Sequence, residues 1–101
     1  MGSSIAYACS KGALNSLSLS LARTLAPNIT VNSICPGYVE TTWHGSYKEV
    51  KKKSKLNEEF VPLKKSAKAE DIASSIMWFV KSNNLITGET IYLDGGYHLK
   101  A

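Results

Sequence analysis

The chain has 101 residues, 44% of them apolar and 20% charged, and this composition excludes a chain that is disordered throughout. Its formal net charge of +4 is unevenly distributed, because no acidic residue precedes Glu40 and eight of the twelve basic residues lie between Lys48 and Lys68. A basic stretch of this kind can bind nucleic acid or an anionic ligand, but it is more often a solvated, mobile loop, and we expect the loop.

The cysteine, histidine and hydropathy patterns exclude further classes of protein. Cys9 and Cys35 form no C-x-x-C pair and no disulfide framework, so we expect a cytoplasmic protein. His44 and His98 have no companions at metal-ligand spacing, which predicts no metal site. No apolar run is long enough to cross a bilayer, and we find no signal-peptide pattern.

The first predicted element is a long helix from Ser4 to Ala26, which Ser3 or Ser4 can cap and Pro27 ends. Its apolar residues recur at spacings of three and four, which predicts one apolar stripe. The stripe consists of Ala13, Leu14, Leu17, Leu21 and Leu25.

A β-branched run from Ile29 to Ile34 follows and predicts a short strand, which Pro36 and Gly37 end. The next segment, residues 41–65, is polar and rich in lysine. Its periodicity is weak, although part of it, around Tyr47 to Leu56, has a pattern compatible with a helix.

The last two elements are predicted with clearer signals. Acidic residues in the first turn support a helix from Ala69 to about Ser82, and Asn83-Asn84 ends it. The run from Glu89 to Leu93 predicts a final strand, and Asp94-Gly95-Gly96 predicts a turn after it.

The order of these elements is helix, strand, loop, helix, strand, and two strands joined through a helix favour a parallel crossover. A parallel sheet usually has more than two strands and is covered on both faces. We therefore predict an α/β chain, with residues 1–101 forming a single partial domain that belongs to a larger, doubly wound parallel sheet.

Tyr7 and Lys11 are the residues on the first helix that could carry chemistry. Their spacing of four places them on one face, and the helix contains no carboxylate. A phenol has an ordinary pKa of about 10 and is a poor base at neutral pH, but a nearby ammonium favours its charged form. Such a pair can exchange a proton with a carbonyl or alcohol oxygen. By spacing alone, a surface pair without a function, with Tyr7 partly packed, is the simpler explanation of the two residues.

The succession of motifs in which this pair occurs resembles the C-terminal half of a short-chain dehydrogenase/reductase of the 3-oxoacyl carrier-protein reductase type. The resemblance covers the chain from about Ser3 to Tyr97. The motifs, in order, are Tyr7-Ala8-Cys9-Ser10-Lys11, the strand Ile29–Ile34, Pro36-Gly37-Tyr38-Val39-Glu40-Thr41, Thr87-Gly88-Glu89 and Asp94-Gly95-Gly96.

The resemblance implies a Rossmann-like fold and a nicotinamide cofactor, NAD or NADP. It gives Tyr7 the role of catalytic acid/base and gives Lys11 the role of activating that tyrosine and binding the nicotinamide ribose. Asn32 would be structural.

By the same resemblance, the remaining cofactor-binding residues follow the first predicted strand. The backbone of Pro36 and Gly37 would hold the carboxamide, Val39 would lie beside it, and the Thr41 hydroxyl would lie near phosphate.

The resemblance also implies that the basic segment after Thr41 is a substrate lid. Trp43 and Tyr47 would then line a pocket for a small carbonyl or alcohol substrate, or they would simply be packing residues.

Two parts of such an enzyme have no counterpart in this sequence: the glycine-rich loop for the adenosine half of the cofactor, and the upstream catalytic serine, for which Ser3 and Ser4 lie too close to Tyr7. We therefore expect an oxidoreductase fragment that is inactive alone. Whether the chain is itself an enzyme stays open at this point. We also expect association through the Tyr7–Ala26 helix, as a homo-oligomer or, alternatively, as a non-catalytic protein docked on a full-length relative. A nucleic-acid binder using Lys51-Lys52-Lys53 is disfavoured, since no aromatic residue interrupts that run.

Overall fold

A computed structural model describes residues 4–82 and 85–99. These residues form three α-helices and two β-strands, with a short 3₁₀ turn at Thr42–His44. The elements are α1 (Ile5–Leu25), β1 (Ser33–Pro36), α2 (Tyr47–Phe60), α3 (Ala69–Ser82) and β2 (Thr90–Leu93). The chain divides into two compact units: unit 1, Met1–Ser33 with Asn84–Ile91, and unit 2, Ile34–Asn83 with Tyr92–Ala101.

The two strands form one parallel pair, as predicted. In unit 1 the Ser33 N–H donates to the Glu89 carbonyl oxygen at 2.8 Å, and in unit 2 the Gly37 N–H donates to the Leu93 carbonyl oxygen at 3.1 Å. The two strands therefore run in the same direction, and the segment that connects them contains helices α2 and α3. The α/β class of the prediction is confirmed, whereas a single partial domain over residues 1–101 stays a prediction.

The position predicted for the first strand is wrong, because β1 begins at Ser33 and ends at Pro36 rather than covering Ile29 to Ile34. The β-branched run forms loop contacts instead. The Val31 N–H donates to the Thr87 hydroxyl at 3.1 Å, and the Val31 carbonyl accepts from Gly88 at 2.7 Å. Asn32 holds the same loop through its side chain, which bonds the Ile86 carbonyl and the Glu89 N–H at 3.1 Å each. The structural role expected for Asn32 is therefore observed.

Helix α1 is the main element of unit 1 and matches its predicted bounds to within one residue. Ser4 is its N-cap, since the Ser4 hydroxyl accepts the Tyr7 N–H at 3.1 Å. Ser3 lies outside the described residues. Ala22 is the only buried residue of the helix. The leucines in the first part of its apolar stripe are half-exposed, at 50% for Leu14 and 52% for Leu17, whereas Leu25 is partly buried.

Helix α2 occupies the segment for which a solvated loop was expected. It is longer than the stretch with a helical pattern, because a capping box at its first turn and two buried positions support it. The Ser46 hydroxyl accepts the Glu49 N–H, and the Glu49 carboxylate accepts the Ser46 N–H at 2.7 Å. Val50 and Ser54 are buried. The prediction of a loop was therefore wrong for residues 47–60, whereas the helical interpretation of Tyr47 to Leu56 is confirmed.

The end of unit 2 packs around Val61, which is the most deeply buried side chain among the described residues. Gly95 and Gly96 follow β2 with φ angles of 65° and 88°, which confirms the predicted turn. A Cβ at either position would come within 3.3 Å of Val61 or Pro62. Helix α3 begins as predicted, with Asp71 accepting the Lys68 N–H at 2.7 Å. The predicted breaker Asn83-Asn84 lies outside the described residues.

Candidate functional site

The Tyr7 and Lys11 side chains meet on one face of α1. The Lys11 Nζ lies 5.5 Å from the centroid of the Tyr7 ring, within the range of a cation–π contact. The Tyr7 side chain is 53% exposed, so its hydroxyl can be reached by a ligand. With no acidic residue on the helix, Lys11 has no competing carboxylate there. The pair therefore offers a proton donor and a cation together at an accessible surface of unit 1.

The segment after β1 forms the second group of predicted site residues, in unit 2. A Cβ on Gly37 would lie only 2.8 Å from the Asp94 Cα, so this position accepts no side chain. Val39 pairs with Ala67 in an isolated parallel bridge. Thr41 precedes the 3₁₀ turn, and its hydroxyl makes no capping hydrogen bond to that turn. The backbone from Pro36 to Thr41 is thus fixed by its neighbours, while the Thr41 hydroxyl is not used as a cap.

Tyr7 and Lys11 thus belong to unit 1, and Pro36, Gly37, Val39 and Thr41 belong to unit 2. The structure brings together the members of each group. That the two groups contact one cofactor stays a prediction.

An open cavity of about 540 Å³ adjoins Pro36 and Gly37 within unit 2. Asp94 and His98 also line it, and the His98 Nδ1 lies 3.0 Å from an oxygen of the Asp94 carboxylate. Burial raises the pKa of Asp94, but hydrogen bonds from His98 and Gly96 outweigh it and lower the pKa below the ordinary value. The His98 ring also stacks on Tyr92, with centroids 4.6 Å apart. Sequence reasoning missed this pair, although the four-residue spacing across a Gly-Gly turn was visible.

Glu40 is a second residue that sequence reasoning missed. Its carboxylate accepts the Ser54 hydroxyl at 2.6 Å and the Lys51 ammonium at 3.0 Å, both from helix α2. These hydrogen bonds, with that of Ser54 the stronger, hold the pKa of the Glu40 carboxyl below its ordinary value of 4.5. Fourteen residues separate Glu40 from Ser54, so no local pattern could have indicated the contact.

Trp43 and Tyr47 do not pack in the interior of the chain. They are 89% and 76% exposed, so the packing interpretation of these two aromatics is wrong. Contact with a substrate stays a prediction for both.

Within residues 4–82 and 85–99, no group of three or more potential ligands could hold a metal ion. No helix in the same ranges has the length and apolarity needed to cross a membrane.

Comparison with known proteins extends over nearly the whole chain. The model of a family described as enoyl-(acyl carrier protein) reductase matches residues 1–98. The short-chain dehydrogenase/reductase homolog YusR of Bacillus subtilis (strain 168) is 39% identical over 98 residues, which are 97% of this chain and 73% of YusR. The chain spans only 39% and 38% of the length of two other curated relatives, at 33% and 35% identity.

Solved structures agree with these sequence matches. A short-chain dehydrogenase family protein from Francisella tularensis subsp. tularensis SCHU S4 superposes with a TM-score of 0.81 and 32% identity over 99% of this chain and 46% of its own. A small-chain dehydrogenase in complex with NADPH superposes with a TM-score of 0.76 and 32% identity over 88% of this chain and 41% of its own.

Proposed function

Because this chain belongs to the short-chain dehydrogenase/reductase family, we propose that it forms the proton-transfer part of an NAD(P)(H)-dependent oxidoreductase. The observation that carries the proposal is the accessible Tyr7–Lys11 pair on α1, which has the spacing of the family's catalytic tyrosine and lysine. The substrate class is a small molecule with a carbonyl or hydroxyl group.

Tyr7 is the proposed acid/base. In the direction of reduction its hydroxyl proton passes to the substrate oxygen as the carbonyl becomes an alcohol, and the reverse transfer accompanies oxidation. The Lys11 ammonium stabilises the negative charge on the oxygens between which the proton moves, and it donates a hydrogen bond to the nicotinamide ribose. The nicotinamide, when bound, supplies or accepts the hydride.

The Pro36–Thr41 segment is the proposed support for the nicotinamide half of the cofactor. Its groups suit the task, since Pro36 and Gly37 have backbone carbonyl groups beside an open cavity, Val39 offers an apolar contact and Thr41 offers a hydroxyl. Residues of this kind recognise a carboxamide and a phosphate. They do not distinguish NAD from NADP, a distinction that depends on contacts to the adenosine half.

Residues 41–65 are the proposed substrate lid, with Trp43 and Tyr47 facing the substrate. Their exposure supports this role, because large aromatics that are open to solvent can be covered by a ligand. The specific substrate, including a 3-oxoacyl group on a carrier protein, is not fixed by these residues. The family's usual setting and the two free cysteines favour the cytoplasm.

A binding experiment tests the proposal on the 101-residue chain itself. We expect reduced nicotinamide mononucleotide to produce saturable NMR shifts, whereas AMP produces none, because the proposed contacts are all to the nicotinamide half. Lys11→Met should weaken the binding about tenfold, the size of one charge-assisted hydrogen bond. Arg23→Met, in the last turn of the same helix, is the matched control. The absence of saturable shifts with the unaltered chain would contradict the proposal.

Turnover is a separate part of the proposal. The chain spans about two fifths of the length of two of the curated relatives it matches, and we propose that catalysis needs the remainder. The purified 101 residues should therefore oxidise neither NADH nor NADPH with a panel of ketones. Ketone-dependent oxidation above background would show that they suffice.

A second candidate function is docking on a full-length family member through the Tyr7–Ala26 helix. The exposed leucines on one face of α1 favour it, since Leu14 and Leu17 are 50% and 52% exposed. Co-purification with a full-length relative tests it, with Leu17→Asp expected to abolish the complex and Ser16→Asp, on a different face of the helix, as the control. A complex unaffected by Leu17→Asp would exclude this face.

A further inference from the structure

Glu40 connects the proposed cofactor segment to helix α2. It lies between Val39 and Thr41, and its N–H donates to the Ala67 carbonyl oxygen at 2.9 Å, so its backbone is fixed. Its side chain extends to α2, where one carboxylate oxygen accepts from Ser54 at 2.6 Å and the other accepts from Lys51 at 3.0 Å.

The Glu40–Ser54 and Glu40–Lys51 hydrogen bonds differ in how far their donors are exposed to solvent. Ser54 is 3% exposed as a residue, whereas the Lys51 side chain is 45% exposed. A half-exposed ion pair contributes little to stability, but a buried hydroxyl that loses its acceptor leaves a polar group unsatisfied. The Ser54 hydroxyl also lies 3.5 Å from Glu58, yet it has one proton, and the shorter bond goes to Glu40. The serine bond is therefore the one that fixes the helix.

Two further polar contacts hold α2, and both are hydrogen bonds from side chains outside the helix to backbone carbonyl groups of α2. The Tyr38 hydroxyl donates to the Val50 carbonyl at 3.0 Å, and the Ser66 hydroxyl donates to the Ser54 carbonyl at 3.1 Å. Val50 is the only apolar residue of α2 that is fully buried. With so little apolar burial, the position of the helix depends on a few directional bonds.

We infer that Glu40 is a positioning residue whose carboxylate holds helix α2 against the Val39–Thr41 segment. The inference has two parts. The ordering of α2 follows from the contacts of Glu40 alone, whereas its effect on cofactor contacts by Val39 and Thr41 rests on the proposed function.

Hydrogen exchange of the complete 101-residue chain tests the first part. In Glu40→Ala the amides of α2 from Val50 to Phe60 should exchange about tenfold faster, while those of α3 stay unchanged. Glu40→Gln keeps an acceptor for Ser54 and should restore most of the protection. Glu59→Gln, an exposed carboxylate on the same helix, is the control. Equal α2 protection in Glu40→Ala and the unaltered chain overturns the inference.

A variant that unfolds the whole unit still leaves the inference testable. If α3 also loses protection in Glu40→Ala, Ser54→Ala decides, because it removes the donor with a small change in volume. Faster exchange confined to α2 in Ser54→Ala supports the inference, and unchanged exchange overturns it.

Titration with reduced nicotinamide mononucleotide tests the second part. Glu40→Ala should weaken the binding several-fold, with Glu40→Gln recovering it, whereas a purely structural role elsewhere in α2 would leave the affinity unchanged. No binding by the unaltered chain refutes the proposed function but leaves the exchange result standing. If Glu40→Ala and Glu40→Gln bind reduced nicotinamide mononucleotide as tightly as the unaltered chain does, only the cofactor part of the inference is overturned.

Discussion

A carboxylate sheltered by neighbouring groups keeps its charge only where donors satisfy it, and both Glu40 and Asp94 meet this requirement. Glu40 has a serine and a lysine from α2, and Asp94 has the Gly96 and His98 N–H groups together with the His98 ring. In each case the hydrogen bonds favour the ionised form. These two residues therefore link protonation to the folding of unit 2.

The first prediction concerns the stability of the chain in acid. The pKa values of Glu40 and Asp94 are both lower in the folded chain than their ordinary values of 4.5 and 3.8. Their stabilising contribution is therefore complete above those ordinary values and is lost as the pH falls through the lowered folded pKa values. Urea unfolding between about pH 6 and pH 2 should show this decrease, and Glu40→Gln should make it shallower.

Lys51 and Tyr38 lie near Glu40, and the pKa values of both are raised above their ordinary values of 10.5 and 10.0, so neither group changes charge in that acidic window. An acid profile of Glu40→Gln that coincides with that of the unaltered chain would contradict the assignment.

The second prediction at this scale concerns Gly37. A methyl group there would meet the Asp94 Cα at 2.8 Å and Cβ at 2.9 Å, so the backbone must shift, and we expect Gly37→Ala to lower the free energy of unfolding by about 1–3 kcal/mol. Gly12→Ala is the matched control. A Cβ at Gly12 would meet nothing within 4 Å in the middle of α1, so that change should stabilise the chain by about 0.5–1 kcal/mol. Equal effects of the two changes on urea unfolding would contradict the close approach.

At the scale of elements, α2 shows how local signals and distant contacts combine. Its apolar periodicity is weak, and its start is determined by the Ser46–Glu49 capping box, a motif of three-residue spacing. Its position is determined by Glu40 and Tyr38, which precede it. A local motif therefore determines where the helix begins, and contacts with residues more distant in the sequence determine where it packs.

We predict that Ser46→Ala shortens α2 from its N-terminus. Losing the N-cap acceptor should lower the stability of the helix by about 1 kcal/mol, and the amides of residues 47–50 should exchange faster while those near Phe60 change little. Ser20→Ala on the exposed surface of α1 serves as the comparison. Uniform loss of protection along α2 would show that the cap does not act locally.

The same distinction explains what the sequence alone could predict. Helices α1 and α3 were placed to within about one residue, because their stripes, caps and first-turn acids are local in the sequence. Strand β1 was misplaced, since the contacts of Val31 and Asn32 with Thr87 and Ile86 come from residues more than fifty positions away.

The candidate site follows the same rule. Tyr7 and Lys11 were found by spacing and by motif order. Glu40 and His98 were missed, because their importance depends on partners that a linear pattern does not connect.

At the scale of the whole molecule, each of the two units has large apolar side chains exposed to solvent. In unit 1 these are leucines of α1, and in unit 2 they include Ile76 and Met77 of α3, at 46% and 43% exposure, and Trp78 at 49%. Apolar patches of this kind usually mark surfaces that a partner covers. Two of the curated relatives are more than twice as long as this chain, and their additional residues could supply such cover.

We therefore predict that the isolated chain self-associates. Size-exclusion chromatography with light scattering should give a mass above 11.0 kDa that rises with protein concentration. Leu14→Asp combined with Leu17→Asp should shift the mass toward the monomer, whereas Ser16→Asp on the same helix should not. A stable monomer at all concentrations would contradict the prediction.

The exposure of Trp43 gives the chain an intrinsic optical probe. An indole that is 89% exposed emits at long wavelength, and any molecule that covers it shifts the emission toward the blue. The other tryptophan, Trp78, is in edge-to-face contact with Phe79 and can be replaced by phenylalanine, so that the emission comes from Trp43 alone. Candidate substrates, cofactor pieces and partner chains can then be ranked by fluorescence titration without labels and without any need for turnover.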